Sequence, residues 1–203
     1  MTITVNAKLF RAVSLCVSTE ETRYYLNGVY IHKHAKEGAV LVATDGNRMM
    51  IAHDVNGIVE GEPKIIRLDK TALTAAKGKR NESAERTIQV DDDGTAKILA
   101  GDEIAHIALR TIVDGTFPDY GRVVPSGEME GGALFTFNGK YLADFGEISR
   151  ELTGDDSRQV TIENNGGGPA RVRFPGIDFA FGLLMPIRHK GETGVPQFYA
   201  AAA

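Results

Sequence analysis

Val42-Ala43-Thr44-Asp45-Gly46-Asn47-Arg48-Met49 reads as two strands meeting at a tight turn. Asp45-Gly46 supplies the residues that hydrogen-bond their own backbone and accept left-handed geometry. The flanking apolar runs extend the strands from Ala39 to Thr44 and from Arg48 to His53. Working outward, a third strand-like run, Tyr24 to His32, precedes them and carries its own turn residues, Asn27-Gly28. Earlier still lies Thr2-Ile3-Thr4-Val5, a short alternating strand. A helical stretch follows it, with Leu9, Phe10, Val13 and Val17 at spacings of three and four. The order of elements is strand, helix, then three strands.

That order recurs. A second unit opens at Lys64-Ile65-Ile66-Arg67-Leu68, with Asp69 as N-cap of a helix through Ala72, Leu73 and Ala76. Its strands run Thr87 to Val90, Ala96 to Leu99 and Glu103 to Arg110, with turns at Asp93-Gly94 and Gly101-Asp102. A third unit opens at Leu134-Phe135-Thr136-Phe137. Asn138 caps a helix bearing Tyr141, Leu142, Phe145, Ile148 and Leu152. The strands Gln159 to Glu163, Ala170 to Phe174 and Phe179 to Ile187 follow, with Asn164 to Pro169 as a hairpin. The repeat period is about 60–70 residues. Val55 to Pro63 and Pro125 to Gly132 have linker composition. The expected fold is α+β, with helices on one face of antiparallel sheets. A lone unit is too small to close a core, so two pair as a domain. The expected division is 1–125 as one domain (units 1–56 and 62–125), 132–190 as a third half-domain unit, and 191–203 as a flexible tail. The third unit then packs on the first two or finds its partner in another subunit.

The chain has 203 residues, 42% of them hydrophobic, and a formal net charge of −4. That charge argues against coating nucleic acid by bulk electrostatics, though a local basic surface remains open. No apolar run approaches the ~20 residues of a spanning helix, and MTITVNAKLF lacks signal-peptide character. A single cysteine, Cys16, excludes an internal disulfide and fits a reducing cytoplasm.

Three segments lift this above a generic repeat: Glu21-Thr22-Arg23-Tyr24-Tyr25-Leu26-Asn27-Gly28-Val29-Tyr30, the Val42–Met49 hairpin, and Asp114-Gly115-Thr116-Phe117-Pro118-Asp119-Tyr120 with Arg122-Val123-Val124-Pro125. In this order and spacing they resemble the middle domain of the bacterial DNA polymerase III beta sliding clamp family. Leu183-Leu184-Met185-Pro186-Ile187-Arg188 resembles the close of that family's last domain. Gly121 and Asn47 depart from the family's usual arginine and histidine.

The resemblance implies a binding protein: a processivity factor that encircles duplex DNA without reading its sequence and tethers a polymerase. It needs no cofactor or metal. A clamp loader and other clamp-binding peptides are implied partners. The DNA-facing candidates are Lys8, Arg11, Lys70, Lys77, Lys79, Arg80, Lys140 and Arg150, on or beside the three helices. The implied partner-peptide pocket comprises Leu26, Thr44, Gly46, Arg48, Met49, Pro118, Arg122, Val123, Val160, Leu183, Met185, Pro186 and Arg188. Its Leu, Val and Met residues form an adaptable apolar floor, and Arg48, Arg122 and Arg188 are expected to hold a peptide backbone or acidic rim. Rings of the family hold about twelve such units, so four chains of three make a homotetramer the expected assembly. The alternative is a module that keeps the pocket without forming a ring, as an adaptor or decoy.

Enzyme readings are weaker. His32 and His34 lack a third ligand at a usual spacing. Gly166-Gly167-Gly168 precedes a strand rather than a helix. Asp91-Asp92-Asp93 lacks the downstream glutamate of a calcium loop.

Overall fold

Alternating side chains and capped amphipathic segments build each element locally. The computed structural model describes residues 2–78, 85–109, 111–125 and 135–187. The first unit contains β1 (Thr2–Asn6), α1 (Ala7–Ser14), β2 (Val29–Lys33), β3 (Ala39–Thr44), β4 (Arg48–Asp54) and β5 (Ile58–Val59). The second contains β6 (Lys64–Ile66), α2 (Lys70–Lys77), β7 (Arg86–Asp91), β8 (Ala96–Ala100), β9 (Glu103–Ala108) and β10 (Ile112–Val113). The third contains α3 (Gly139–Thr153), β11 (Thr161–Glu163), β12 (Ala170–Arg173) and β13 (Ala180–Leu184). Asn6, Asp69 and Asn138 cap the helices, each side-chain oxygen accepting from a first-turn N–H.

The strands form two sheets, ordered β5-β1-β7-β8-β9 and β10-β6-β2-β3-β4-β13-β12-β11. The first two units exchange their opening strands. β1 pairs antiparallel with β7 of the second unit, and β6 pairs with β2 of the first. Neither unit therefore completes a sheet alone. The third unit extends the larger sheet, β13 pairing with β4 from Ala180↔Ala52 to Leu184↔Arg48.

Every residue of β3 is buried, which alternation alone does not explain. The large sheet is covered on both faces. Ala39, Leu41 and Ala43 face the helix-side core with Phe10, Val13, Phe145 and Ile148. Val40 and Val42 face a smaller outer core with Leu26, Met49, Ile51, Ile65, Phe117 and Leu183. The segment that includes Phe117 folds over this face, where Phe117 stacks on Tyr30 at 4.8 Å and 2°.

Several local expectations change. Val17 lies beyond the end of α1 but still packs on the core. Tyr24–Leu26 is a 3-10 turn rather than strand. The first linker contains β5, recruited by the free edge of β1. The run expected from Glu103 to Arg110 ends as β9 at Ala108, and Arg110 lies outside the described residues. Among residues 135–137 a single bridge, Thr136↔Ile187, replaces the expected opening strand, and Leu134 is not described. Most of the Pro125–Gly132 linker and all of 191–203 also lie outside the described residues.

Candidate functional site

The Thr44–Met49 turn shapes a pocket of ≈ 290 Å³ on the outer face of the large sheet. Its geometry is set by short-range hydrogen bonds. Asp45 Oδ1 accepts from the backbone N–H of Asn47 (2.9 Å) and Arg48 (3.1 Å). The Thr44 hydroxyl donates to the Arg48 carbonyl (2.7 Å) and accepts from Gly46 N–H (3.0 Å). Gly46 has φ +91°, and a Cβ there would lie 2.5 Å from Arg23 Nη1. The positive φ requires glycine at this position, and the Arg23 guanidinium lies over it.

Of the residues expected here, Leu26, Thr44, Gly46, Arg48, Met49, Pro118, Val123, Leu183 and Met185 line the pocket together. They come from all three units, because β13 brings Leu183 beside Met49. Arg122 is exposed on the 3-10 turn Tyr120–Val123 and Pro186 is half-buried, both away from the lining. Val160 packs instead against the helix-side core. Arg188 lies outside the described residues.

Six lining residues escaped the sequence reading: Arg23, Tyr25, Asn47, Asp119, Tyr120 and Pro169. Arg23, Tyr25, Asn47, Asp119 and Tyr120 all stand inside the quoted motifs. Pro169 arrives through the β11–β12 turn and has no local signal. Arg23 is the guanidinium at the mouth, its fork held by Glu20 at 2.8 and 2.6 Å. Burial raises the Tyr120 phenol above its ordinary pKa, with Tyr30 and Asp119 adding to the shift. Its hydroxyl lies 2.7 Å from His32 Nε2. His32 thus tethers the pocket wall, whereas His34 stacks against His53 at 4.3 Å, so the two do not act as a pair.

Arg48 borders the pocket, with its guanidinium engaged by groups of the fold. By strand alternation it shares the helix side of β4 with Met50 and Ala52, while Met49 and Ile51 face outward. Its side chain is 7% exposed. Nε donates to Asp45 Oδ2 at 3.0 Å, Nη1 to Asp144 and Nη2 to the Leu15 carbonyl at 2.9 Å. Its Cζ lies over the Tyr141 ring, 4.6 Å from the ring centre. The guanidinium is committed inside the fold.

The helices form the opposite surface. Lys8, Lys70, Lys77 and Lys140 are exposed and make no ion pair among the described residues. Lys79 and Arg80 lie outside the described residues. Arg11 pairs with Glu151 of α3, and Arg150 with Glu147. α1 and α2 contain no acidic residue, whereas α3 carries Asp144, Glu147 and Glu151 against Lys140 and Arg150. The DNA-facing candidates on α1 and α2 thus stand without acidic neighbours in their own helices, whereas those on α3 do not. On the third, each of the three carboxylates has an arginine partner.

Residues 3–119 match the family described as DNA polymerase III beta subunit, central domain. The beta sliding clamp of Caulobacter vibrioides is 32% identical over 161 residues, 76% of this chain and 41% of the relative. That of Rickettsia felis is 30% identical over 178 residues, 81% of this chain and 44% of the relative. The chain thus spans about two fifths of these relatives' length. In fold it is similar to a sliding clamp from Bartonella birtlesii bound to griselimycin (TM-score 0.69, 21% identity, 93% of this chain and 66% of the other). It is also similar to DNA polymerase III subunit beta from Borrelia burgdorferi in complex with a natural product (TM-score 0.70, 16% identity, 94% and 63%).

Proposed function

The chain belongs to the DNA polymerase III beta-subunit family, and from that premise we propose that it works by binding: it encircles duplex DNA and holds replication-protein peptides in the pocket at the Asp45-Gly46 turn. The observation carrying this reading is the pocket itself, apolar at its base through Leu26, Met49 and Leu183 and rimmed by Arg23, Thr44 and Asn47. Such a floor of flexible apolar side chains accommodates several partners, with polar groups at the edge to fix orientation. The test uses fluorescently labelled griselimycin, which the Bartonella relative binds. Met185 lines the pocket yet is 42% exposed, so Met185→Glu changes the site without disturbing the core. Saturable binding by the wild type and a loss of at least about tenfold in the variant are expected. Absence of binding by the wild type overturns the pocket reading.

The DNA surface is the acid-free face of α1 and α2, where Lys8, Lys70 and Lys77 offer sequence-independent phosphate contacts. Ring closure rests on strand exchange. β2 and β7 each receive the opening strand of another unit, whereas β11, their counterpart in the third unit, ends its sheet with an open edge among the described residues. A second copy's third unit completes that edge across a two-fold axis, and four chains give a homotetrameric ring of twelve units, the ring a loader opens. Light scattering tests this, and a monomer near 21.9 kDa at high concentration overturns it. The second reading, an adaptor without a ring, is favoured by one observation: β13 pairs with β4 and so brings Leu183 of the third unit beside Met49 of the first in the pocket. Salt-resistant retention on circular but not linear DNA separates the two.

A further inference from the structure

All three nitrogens of the Arg48 guanidinium are occupied, by groups from three separate places. Asp45 belongs to the pocket turn, Leu15 follows α1, and Asp144 with Tyr141 belongs to α3. One residue away, the Asn47 carbonyl accepts from Met185 N–H at 2.9 Å, joining the same turn to the third unit's contribution to the pocket. α3 itself supplies no lining residue.

From this arrangement we infer that Arg48 is a positioning residue, a latch coupling ligand binding in the pocket to the seating of the third unit. The inference rests on the pocket being a ligand site, as proposed above. The turn and the third unit's strand end form facing walls, and Arg48 sets the spacing between them by clamping α3 against the turn. A ligand that touches both walls strengthens the seating of α3, and by reciprocity firm seating strengthens the ligand. Loss of the guanidinium leaves the half-buried carboxylates of Asp45 and Asp144 without their shared cation and the Leu15 carbonyl without this donor. Lysine keeps the charge but not the planar fork that reaches all three acceptors and stacks on Tyr141.

The test measures labelled griselimycin affinity for the full chain carrying Arg48→Met, Asp144→Asn or both. Each single change is expected to weaken binding by about tenfold, and the double no further than the weaker-binding single, because both remove one interaction. Ile88→Val, in the core behind β7 of the smaller sheet and outside both α3 and the pocket lining, is expected to lower the melting temperature while leaving affinity unchanged. Should Arg48→Met unfold the chain, the wild type supplies an independent arm. Saturating ligand is expected to slow amide exchange in α3, residues 139–153. Unchanged exchange in α3 overturns the inference. So does weakening by Arg48→Met with none by Asp144→Asn, which makes Arg48 a direct ligand contact. Binding by the wild type that neither substitution affects overturns the latch alone, whereas no binding by the wild type removes the pocket reading beneath it.

Discussion

Gly182→Ala tests how the third unit is seated on the first. Gly182 lies on β13 with its helix-side face against Phe145 of α3. An alanine Cβ there would sit 2.2 Å from Phe145 Cε1, 2.8 Å from Cζ and 3.1 Å from Cδ1. Ordinary contact begins near 3.4 Å, so relief requires a displacement of about 1.2 Å, more than a packed core absorbs by side-chain adjustment. Phe145 is fully buried, with the Phe174 ring at 6.4 Å, so its movement must displace packed neighbours. Either α3 lifts from the sheet or β13 slides against β4. Overpacking of this kind costs about 1–3 kcal/mol. With a urea dependence of about 2 kcal/mol per molar, the unfolding midpoint falls by roughly 0.5–1.5 M. Urea titration followed by circular dichroism measures it. Phe145→Leu in the same chain shortens the obstructing ring, so the double variant is expected to be more stable than the sum of the singles. An unshifted midpoint for Gly182→Ala would refute the packing argument.

Other consequences follow from single groups. Burial raises the Cys16 thiol from 9.0 to about 12. Its contribution to stability is full below pH 9, where folded and unfolded thiols are both protonated. It is lost as pH rises from 9 towards 12, at up to about 1.4 kcal/mol per pH unit, because only the unfolded thiol releases its proton there. Cys16→Ala should flatten that part of the pH–stability curve. Asp54, 6% exposed, accepts from Asn6 N–H at 2.7 Å and Asn56 N–H at 3.2 Å, tying the end of β4 to the start of α1. Asp54→Ala should lower unfolding free energy by about 2 kcal/mol, and a change below the error of the titration removes this role. On DNA, Lys8→Ala, Lys70→Ala and Lys77→Ala should each reduce the slope of log affinity against log salt by about 0.9. An unchanged slope places the phosphates elsewhere.

Local patterns carried much of this protein. The apolar spacing of α1 and α3, the three caps and the Asp45-Gly46 turn are decided within a few residues, so the sequence alone specifies them. The same holds for the recurring strand-helix-strand order, since each element's periodicity is a local property. Even the direction of the Arg48 side chain was legible: alternation turns it to the face of β4 opposite Met49, so its guanidinium enters the fold although both residues border the pocket. That inference needed only the strand register, which the Asp45-Gly46 turn sets.

What the tertiary structure decided is where strands go after they form. Ile58–Val59 reads as linker because two residues carry no period, and it becomes β5 only because β1 offers an edge. β3 is buried throughout because a helix layer and a returning loop cover both faces, which its own six residues cannot encode. Opening strands exchange between units, and β13 joins β4 rather than a sheet of its own. Pro169 therefore reaches a pocket begun more than a hundred residues earlier, and Asp144 and Glu151 on α3 neutralise Arg48 and Arg11 of the first unit. Periodicity reports which face of an element is buried, not against what. Pairing partners are chosen by the free-energy minimum of the whole chain, where hydrogen-bonding edges and apolar faces from distant segments are satisfied together.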